Sequence, residues 1–544
     1  MLKILFQSLL KNWKENLYLL SLATFLVALP TSVAFIAGTT IALLVVWIIT
    51  GNFKEKWNRL IHNKNALLLM SIPLLYVIGL FFTQNLHLGL RELNKSLHWF
   101  IFAFILGSSA PLSQKTTFRL LSLYIAAVIL AAIASFVTIV LSDINPFVSF
   151  RSFTWIDHIP FSYQISFSIW LLIYFLLKKS FTNIRKILLV ILIAFLITTL
   201  LLLKSFNGYI YFGAMTITAL IMLLVNVKER KHKLIFSICL FFILSLPTYY
   251  IYQCFQKFYD INEYSTDSIE NHTLQGNLYH HDFKDKTKEN GNYVSLFICE
   301  EELIPLWNTH SVKPYDYKTS GGYPLSCVII RYMTSKGLTK DAQGFAQLSQ
   351  KDIENIESEI PNYIFADNRF SVYPRIYETI WELDLYLITS NPNNKSFSQR
   401  IEQARLAFPI INKHPWLGIG LGNNANAFDK VILETGSQLI HQETGTTHNQ
   451  YLNYLIRFGI LGFLYIIGVV IWVFCRNRKS NLFIITIFLI SMLVANFGEA
   501  NFETFIGLIF FNFFLCFFMW IAPKDFFENL NMGRGIDKVG NHLS

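Results

Sequence analysis

Charge is scarce in this chain. Asp, Glu, Lys and Arg make up 15% of 544 residues, against 53% hydrophobic and 16% aromatic. An ordinary soluble protein is excluded, because apolar runs of about twenty residues recur along the sequence. Cysteine is rare as well, with six in all, which rules out a disulfide-dense scaffold. Cys254, Cys299 and Cys327 leave room for one bridge whose pairing the sequence does not reveal. No phosphate loop of the Gly-x-x-x-x-Gly-Lys-Ser/Thr type is present. Gly418-Ile419-Gly420-Leu421-Gly422 follows a helix-like stretch and lacks the third glycine of a dinucleotide fingerprint. No Asp-x-Asp pair occurs either; the nearest is Glu382-Leu383-Asp384, inside an apolar periodic stretch. His280-His281 makes a poor metal pair, since adjacent side chains rarely converge on one ion without further ligands. Neither a metal nor another cofactor is expected.

What is present is a polytopic, all-α membrane protein. About twelve spans are expected near 17–30, 33–50, 65–82, 96–110, 118–141, 162–177, 187–203, 207–225, 234–251, 451–474, 482–496 and 503–522. Leu2, Leu5, Phe6, Leu9 and Trp13 among Lys3, Lys11 and Lys14 suggest an interfacial amphipathic helix, with no cleavable signal peptide. Alternate loops differ sharply in basic residues. One set holds Lys54, Lys56, Arg59, Lys64, Lys115, Arg119, Lys178, Lys179, Arg185, Lys186, Lys228, Arg230, Lys231, Lys233, Arg476, Arg478 and Lys479; the other short loops hold only Arg91, Lys95, Arg151 and Lys204. By the positive-inside rule the first set and both termini are cytoplasmic. The net charge of +10 therefore needs no nucleic acid to explain it.

Four parts follow: an N-terminal bundle over 1–251 with spans one to nine, an outer domain over 252–447, C-terminal spans ten to twelve over 448–522, and a cytoplasmic tail over 523–544. The outer segment, between spans nine and ten, should be α-rich or α+β, and His448, Arg151, Lys204 and Glu499 share its side of the membrane. No nucleoside triphosphate is available there, which points to a lipid-carried donor.

Thr447-His448-Asn449-Gln450-Tyr451, running on to Arg457-Phe458-Gly459-Ile460-Leu461-Gly462, is the stretch with the clearest chemistry. It puts one imidazole at the water line of a span. At about 100° per residue, Gly459 and Gly462 fall within roughly 40° of His448, and Arg457 about 180° away. A slot without side chains beneath the histidine would admit a neighbouring helix or a lipid tail. Ser396 and Gln399 fit a capping box, so Arg400 sits in a first turn, where unpaired amides favour an anion. Arg405, about 140° round that helix, is a weaker candidate. In the loop from Asp143 to Ser162, opened by an Asn145-Pro146-Phe147 turn, Arg151 would bind phosphate or pair with Asp157. Glu499 and Glu503, four residues apart, share a helical face; Glu503 needs a partner because it enters the apolar run.

His448-Asn449, nine residues, Gly459, two residues, Gly462 resembles the histidine signature of the O-antigen ligase and polymerase superfamily. The likeness covers spans six to twelve and is strongest over 396–508. It implies a GT-C-like fold and an inverting, metal-independent glycosyltransferase at the periplasmic face of a bacterial inner membrane. Such an enzyme moves a glycan from undecaprenyl diphosphate to the lipid A-core. His448 would be the general base, because imidazole titrates in the neutral range. Arg400 matches the family's diphosphate-binding arginine, about fifteen residues before a Pro-x-x-Gly-x-Gly turn. Arg151 and Lys204 would assist, as planar guanidinium groups and ammonium groups hold phosphate. In the tight turn Leu203–Tyr209 the family usually presents an arginine before a small residue; here Phe206 takes that place, and Lys204 is the substitute. Glu499, Asn449 and Glu503 would orient the base or bind acceptor. The stretches 276–281, 289–291, 306–308 and 331–342 resemble an insertion of one ligase branch. A polymerase, or a protein O-oligosaccharyltransferase, would use the same parts; from another class, a solute transporter is the competing expectation, though paired broken helices are missing.

Overall fold

A computed structural model describes residues 13–141, 150–177, 181–263, 269–367, 372–440, 445–476, 482–523 and 526. The expected amphipathic N-terminus up to residue 12, the Asn145-Pro146-Phe147 turn, Lys178, Lys179, Arg478, Lys479 and most of the expected tail lie outside the described residues. The chain is mostly helical, and it divides into two compact units: one of 1–242 with 400–544, the other of 243–399.

In the first unit several apolar helices start where a polar side chain satisfies a free amide. Ser32 caps Val33–Ile49, Asn85 caps Leu86–Ser108, Ser205 caps Phe206–Asn226 and Thr504 caps Phe505–Cys516. Among the described residues, six helices are long and apolar enough to cross a membrane: Gln114–Leu141, His158–Leu177, Asn183–Leu202, Phe206–Asn226, Arg230–Phe258 and Gln450–Arg476. Val33–Ile49 and Phe53–His62 qualify only as a pair bent by 113°, while Lys64–Leu80 and Phe505–Ile521 are shorter apolar helices. This is a multi-pass membrane protein.

Phenylalanine fills the centre of this unit. Phe167, Phe488, Phe510 and Phe514 are fully buried and meet at ring separations of 4.8 to 6.1 Å, and Trp99 stands edge-on to Phe502 and Phe511. The helix expected from about residue 96 begins ten residues earlier, at Leu86. The Asn85 side chain accepts from Leu88 N–H, so Arg91, Glu92 and Lys95 lie on a helix and not in a loop.

The second unit is built from short helices, including Glu300–His310, Leu325–Ser335, Gln350–Glu357 and Tyr373–Thr389, around Leu303, Trp307, Val328, Ile329, Met333 and Ile356. Among its described residues the only paired strands are Lys288–Glu289 and Asn292–Tyr293, antiparallel and two residues each. Glu289 is wholly buried and fully partnered: it accepts from Arg331 at 2.6 and 2.8 Å, from Asn362 at 2.7 Å and from the Tyr377 hydroxyl at 3.0 Å. A buried carboxylate is tolerated on those terms. In the same unit the amide of Phe397 donates to Glu382 at 2.7 Å. The start of helix Ser396–Lys413, read as a seat for an external anion, thus holds the chain's own carboxylate.

Candidate functional site

His448 lies in a turn just before helix Gln450–Arg476, not inside it. Thr447 fixes that turn. Its N–H and hydroxyl donate to Asn453 Oδ1 at 2.9 and 2.8 Å, and Asn453 Nδ2 returns a bond to the Thr447 carbonyl at 3.0 Å. The Asn449 side-chain oxygen accepts from the amides of Tyr451 and Leu452 at 2.9 and 3.1 Å, an N-cap by geometry. Between these two anchors the His448 ring is presented with 42% of its side chain exposed.

The partner of His448 is Glu499, with Nδ1 2.9 Å from Oε1. A carboxylate only accepts, so Nδ1 carries the hydrogen and the neutral ring keeps its lone pair on Nε2. The second oxygen of Glu499 takes Arg400 Nη2 at 3.1 Å, and Arg400 Nη1 donates to the Gly498 carbonyl. Asn207 Nδ2 adds long contacts of 3.4 Å to both Gly498 O and Glu499 Oε2. Burial alone would raise the carboxyl's pKa; the hydrogen bond from His448, its charge and the Arg400 guanidinium outweigh burial and hold it below the ordinary 4.5.

A cavity of about 240 Å³ opens beside this cluster, with His448, Glu499, Arg91, Glu92, Lys95, Arg457 and Glu503 among its walls. Arg457 is 1% exposed and bridges two carboxylates, Glu92 at 3.2 Å and Glu503. Glu503 also accepts from Gln450 Nε2 at 3.2 Å, and its backbone carbonyl accepts from Lys95 Nζ at 3.0 Å. The wheel argument that set Arg457 opposite His448 fails because the helix does not extend back to residue 448. Beyond Arg457 the helix is also broken at Gly459, whose φ is 62° and ψ −168°.

That break explains the glycine pattern. Ile460 N–H bonds Pro415 O at 2.8 Å, Ile419 N–H bonds Ile456 O at 2.8 Å and Gly420 N–H bonds Arg457 O at 3.0 Å. A Cβ on Gly459 would stand 2.3 Å from the Trp416 carbonyl, and one on Gly418 2.4 Å from the backbone of Arg457. Gly459 thus accommodates the 415–420 turn, backbone on backbone, where an open slot for a lipid tail was one of the two expectations.

Three expected site residues, His448, Glu499 and Arg400, meet directly, and Glu503 joins the cavity through Arg457. Asn449 is occupied with capping. Arg151 is exposed in the 3-10 turn Phe150–Phe153 and does not line the cavity; nor does Asp157 pair with it, since that carboxylate accepts from Ile159 N–H at 2.8 Å. Lys204, at φ 48°, is likewise outside the lining, and it is Asn207 of the same turn that reaches Glu499. Arg405 is held bidentately by Glu402 at 2.6 and 2.7 Å. Among the described residues no group of three or more His, Cys, Asp or Glu could hold a metal ion.

Residues 362–467, which include Arg400, His448 and Arg457, match the family model described as O-antigen ligase. Over that segment the chain is similar to the O-antigen ligase family. The match supports the O-antigen ligase superfamily and ligase or polymerase activity in general, and it bears out the resemblance drawn from the His448 motif. No curated protein matches the chain.

Proposed function

We propose that this protein is a glycosyltransferase that moves a glycan from undecaprenyl diphosphate to a lipid A-core sugar at the periplasmic face of a bacterial inner membrane. About twelve spans carry it, and residues 252–447 form its outer domain. The observation that carries the reading is the contact chain from His448 through Glu499 to Arg400 beside a cavity, with His448 and Arg400 inside the matched family region.

The chemistry follows from that arrangement. An acceptor hydroxyl attacks the anomeric carbon, and its proton passes to His448 Nε2. The bond from the anomeric carbon to the diphosphate oxygen breaks, and the electron pair leaves on the diphosphate. Glu499 holds the ring with Nε2 toward substrate and stabilises the imidazolium that forms, as a buried carboxylate does for a catalytic histidine elsewhere. Arg400 uses two N–H groups on Gly498 and Glu499; its remaining donors are available to the departing phosphate. A single displacement inverts the anomeric configuration. Arg151 and Lys204, outside the cavity, would meet the donor only beyond its diphosphate.

Purified full-length protein, lipid-linked donor and a panel of acceptors test this directly. Transfer to lipid A-core supports the ligase; transfer to a second lipid-linked repeat, or to a Ser or Thr side chain, replaces it with the polymerase or protein-acceptor reading. No transfer to any acceptor, with the protein folded, overturns the proposal.

A further inference from the structure

We propose that Arg91 and Lys95, on the helix Leu86–Ser108, form the anion seat that receives the diphosphate of the lipid-linked donor opposite His448. This rests on the glycosyltransferase reading above and adds to it two residues from a helix outside the matched family region.

Cations were sparse on one side of the membrane by loop counting, with Arg91, Lys95, Arg151 and Lys204 the only four in its short loops. Two of those four line the cavity of His448 and the other two do not. Arg91 and Lys95 are four residues apart, hence on one face of their helix. Their surroundings are committed to each other instead. Glu92 faces Arg457 at 3.2 Å and the Gly422 amide at 3.4 Å. Glu503 faces Arg457 and Gln450, and Glu499 faces His448 and Arg400. The carboxylates of this cavity are thereby spent on protein donors. Among the described residues neither Arg91 nor Lys95 has an ion-pair partner; Lys95 gives one of its three N–H groups to a backbone carbonyl, that of Glu503 at 3.0 Å. A guanidinium and an ammonium with donors to spare, beside a cavity of about 240 Å³, suit a group with many acceptor oxygens and more than one negative charge. Diphosphate is such a group; a neutral sugar is not.

The test uses full-length protein in nanodiscs of neutral lipid, titrated with undecaprenyl diphosphate bearing no sugar. The variants are Arg91→Gln, Lys95→Gln, both together, Lys95→Arg, and Arg185→Gln as a control from the opposite set of loops. The double variant should bind about tenfold more weakly or worse, Lys95→Arg should retain most of the affinity, and Arg185→Gln should match wild type. Inorganic diphosphate should compete, and phosphatidylglycerol added to the discs should not. Arg91 is exposed, so Arg91→Gln alone is expected to fold and should already show part of the loss. Binding by the double variant within about twofold of wild type overturns the inference while leaving the enzyme reading intact. Equal competition by phosphatidylglycerol also overturns it, because the two cations would then be meeting the ordinary membrane surface. Wild-type protein that fails to bind the lipid at all brings down the enzyme reading together with this one.

Discussion

Nδ1 of His448 lies 2.9 Å from Oε1 of Glu499, although 51 positions separate them in sequence. The contact decides which ring nitrogen is free to accept a proton, so in the proposed mechanism the two residues act as one pair. His448→Ala should reduce transfer by about 10² to 10⁴-fold, the usual range for a lost general base. Glu499→Gln keeps the shape of the side chain but lets an amide face Nδ1 and removes the charge that supports the imidazolium, so it should also lower transfer, by tenfold or more on the same scale. Single-turnover assays with pre-bound donor would check both. Full activity in Glu499→Gln would reduce the contact to packing.

Gly459 gives a stability prediction with a built-in control. Its φ of 62° and the Trp416 carbonyl 2.3 Å from any Cβ mean that Gly459→Ala both strains the backbone and pushes away the 415–420 turn. A loss of about 1–3 kcal/mol is expected, read as a lower unfolding midpoint in detergent. Gly468 sits in the same helix with nothing within 4 Å of its Cβ direction; Gly468→Ala should be neutral or slightly stabilising.

Lys340, in the second unit, is 2% exposed and has no ion-pair partner among the described residues. Neighbouring Asp341 is taken by Thr339 at 2.7 Å, the Gly344 amide at 2.8 Å and the Tyr279 hydroxyl. Burial pushes the Lys340 ammonium down from 10.5 to about 7, against a smaller pull upward from Asp341. The sign follows: a depressed lysine favours the neutral form in the fold, so its cost is full below about 7, shrinks as pH rises toward 10.5 and is gone above it. Lys340→Met should therefore slow hydrogen exchange around Phe297–Cys299, whose backbone pairs with Lys340, most at or below neutral pH. The gain should be a few kcal/mol, at most about 5 at ~1.4 kcal/mol per pKa unit, with the advantage fading above neutrality. Faster exchange in the variant at low pH would contradict the assignment.

Much of the fold was legible because burial in a bilayer leaves a coarse signal: the apolar runs near 118–141, 162–177 and 187–203 match helices Gln114–Leu141, His158–Leu177 and Asn183–Leu202 to within a residue at their C-terminal ends. Helices were expected in the second unit, whereas its Glu289 network was not legible, since Arg331, Asn362 and Tyr377 come from far along the chain. Around His448 the spacing to Gly459 and Gly462 marked an important stretch, but a helical wheel assumes an unbroken helix. The helix starts only at Gln450, so the angle from His448 to Arg457 does not hold, and Gly459 breaks the helix further on. The places of Glu92 and Lys95 in the cavity wall were not legible for another reason: the Asn85 cap moved the helix start ahead of the apolar run. Asn207, three residues after Lys204, carries no charge to mark it.

The Arg457 bridge carries the last prediction, because it sets the cavity's charge without touching substrate in the proposed mechanism. Arg457→Met leaves Glu92 and Glu503 facing each other with no cation between them, and breaking a buried pair in this way costs about 3–5 kcal/mol. The unfolding midpoint in detergent should fall steeply. Adding Glu92→Gln and Glu503→Gln to Arg457→Met removes the stranded charges, and the triple variant should recover most of that loss, since a neutral, well-packed replacement of a buried ion cluster is often tolerated. A purely packing role for Arg457 would instead give losses that add across the three sites. The two outcomes separate in one thermodynamic cycle measured on detergent-solubilised, full-length protein.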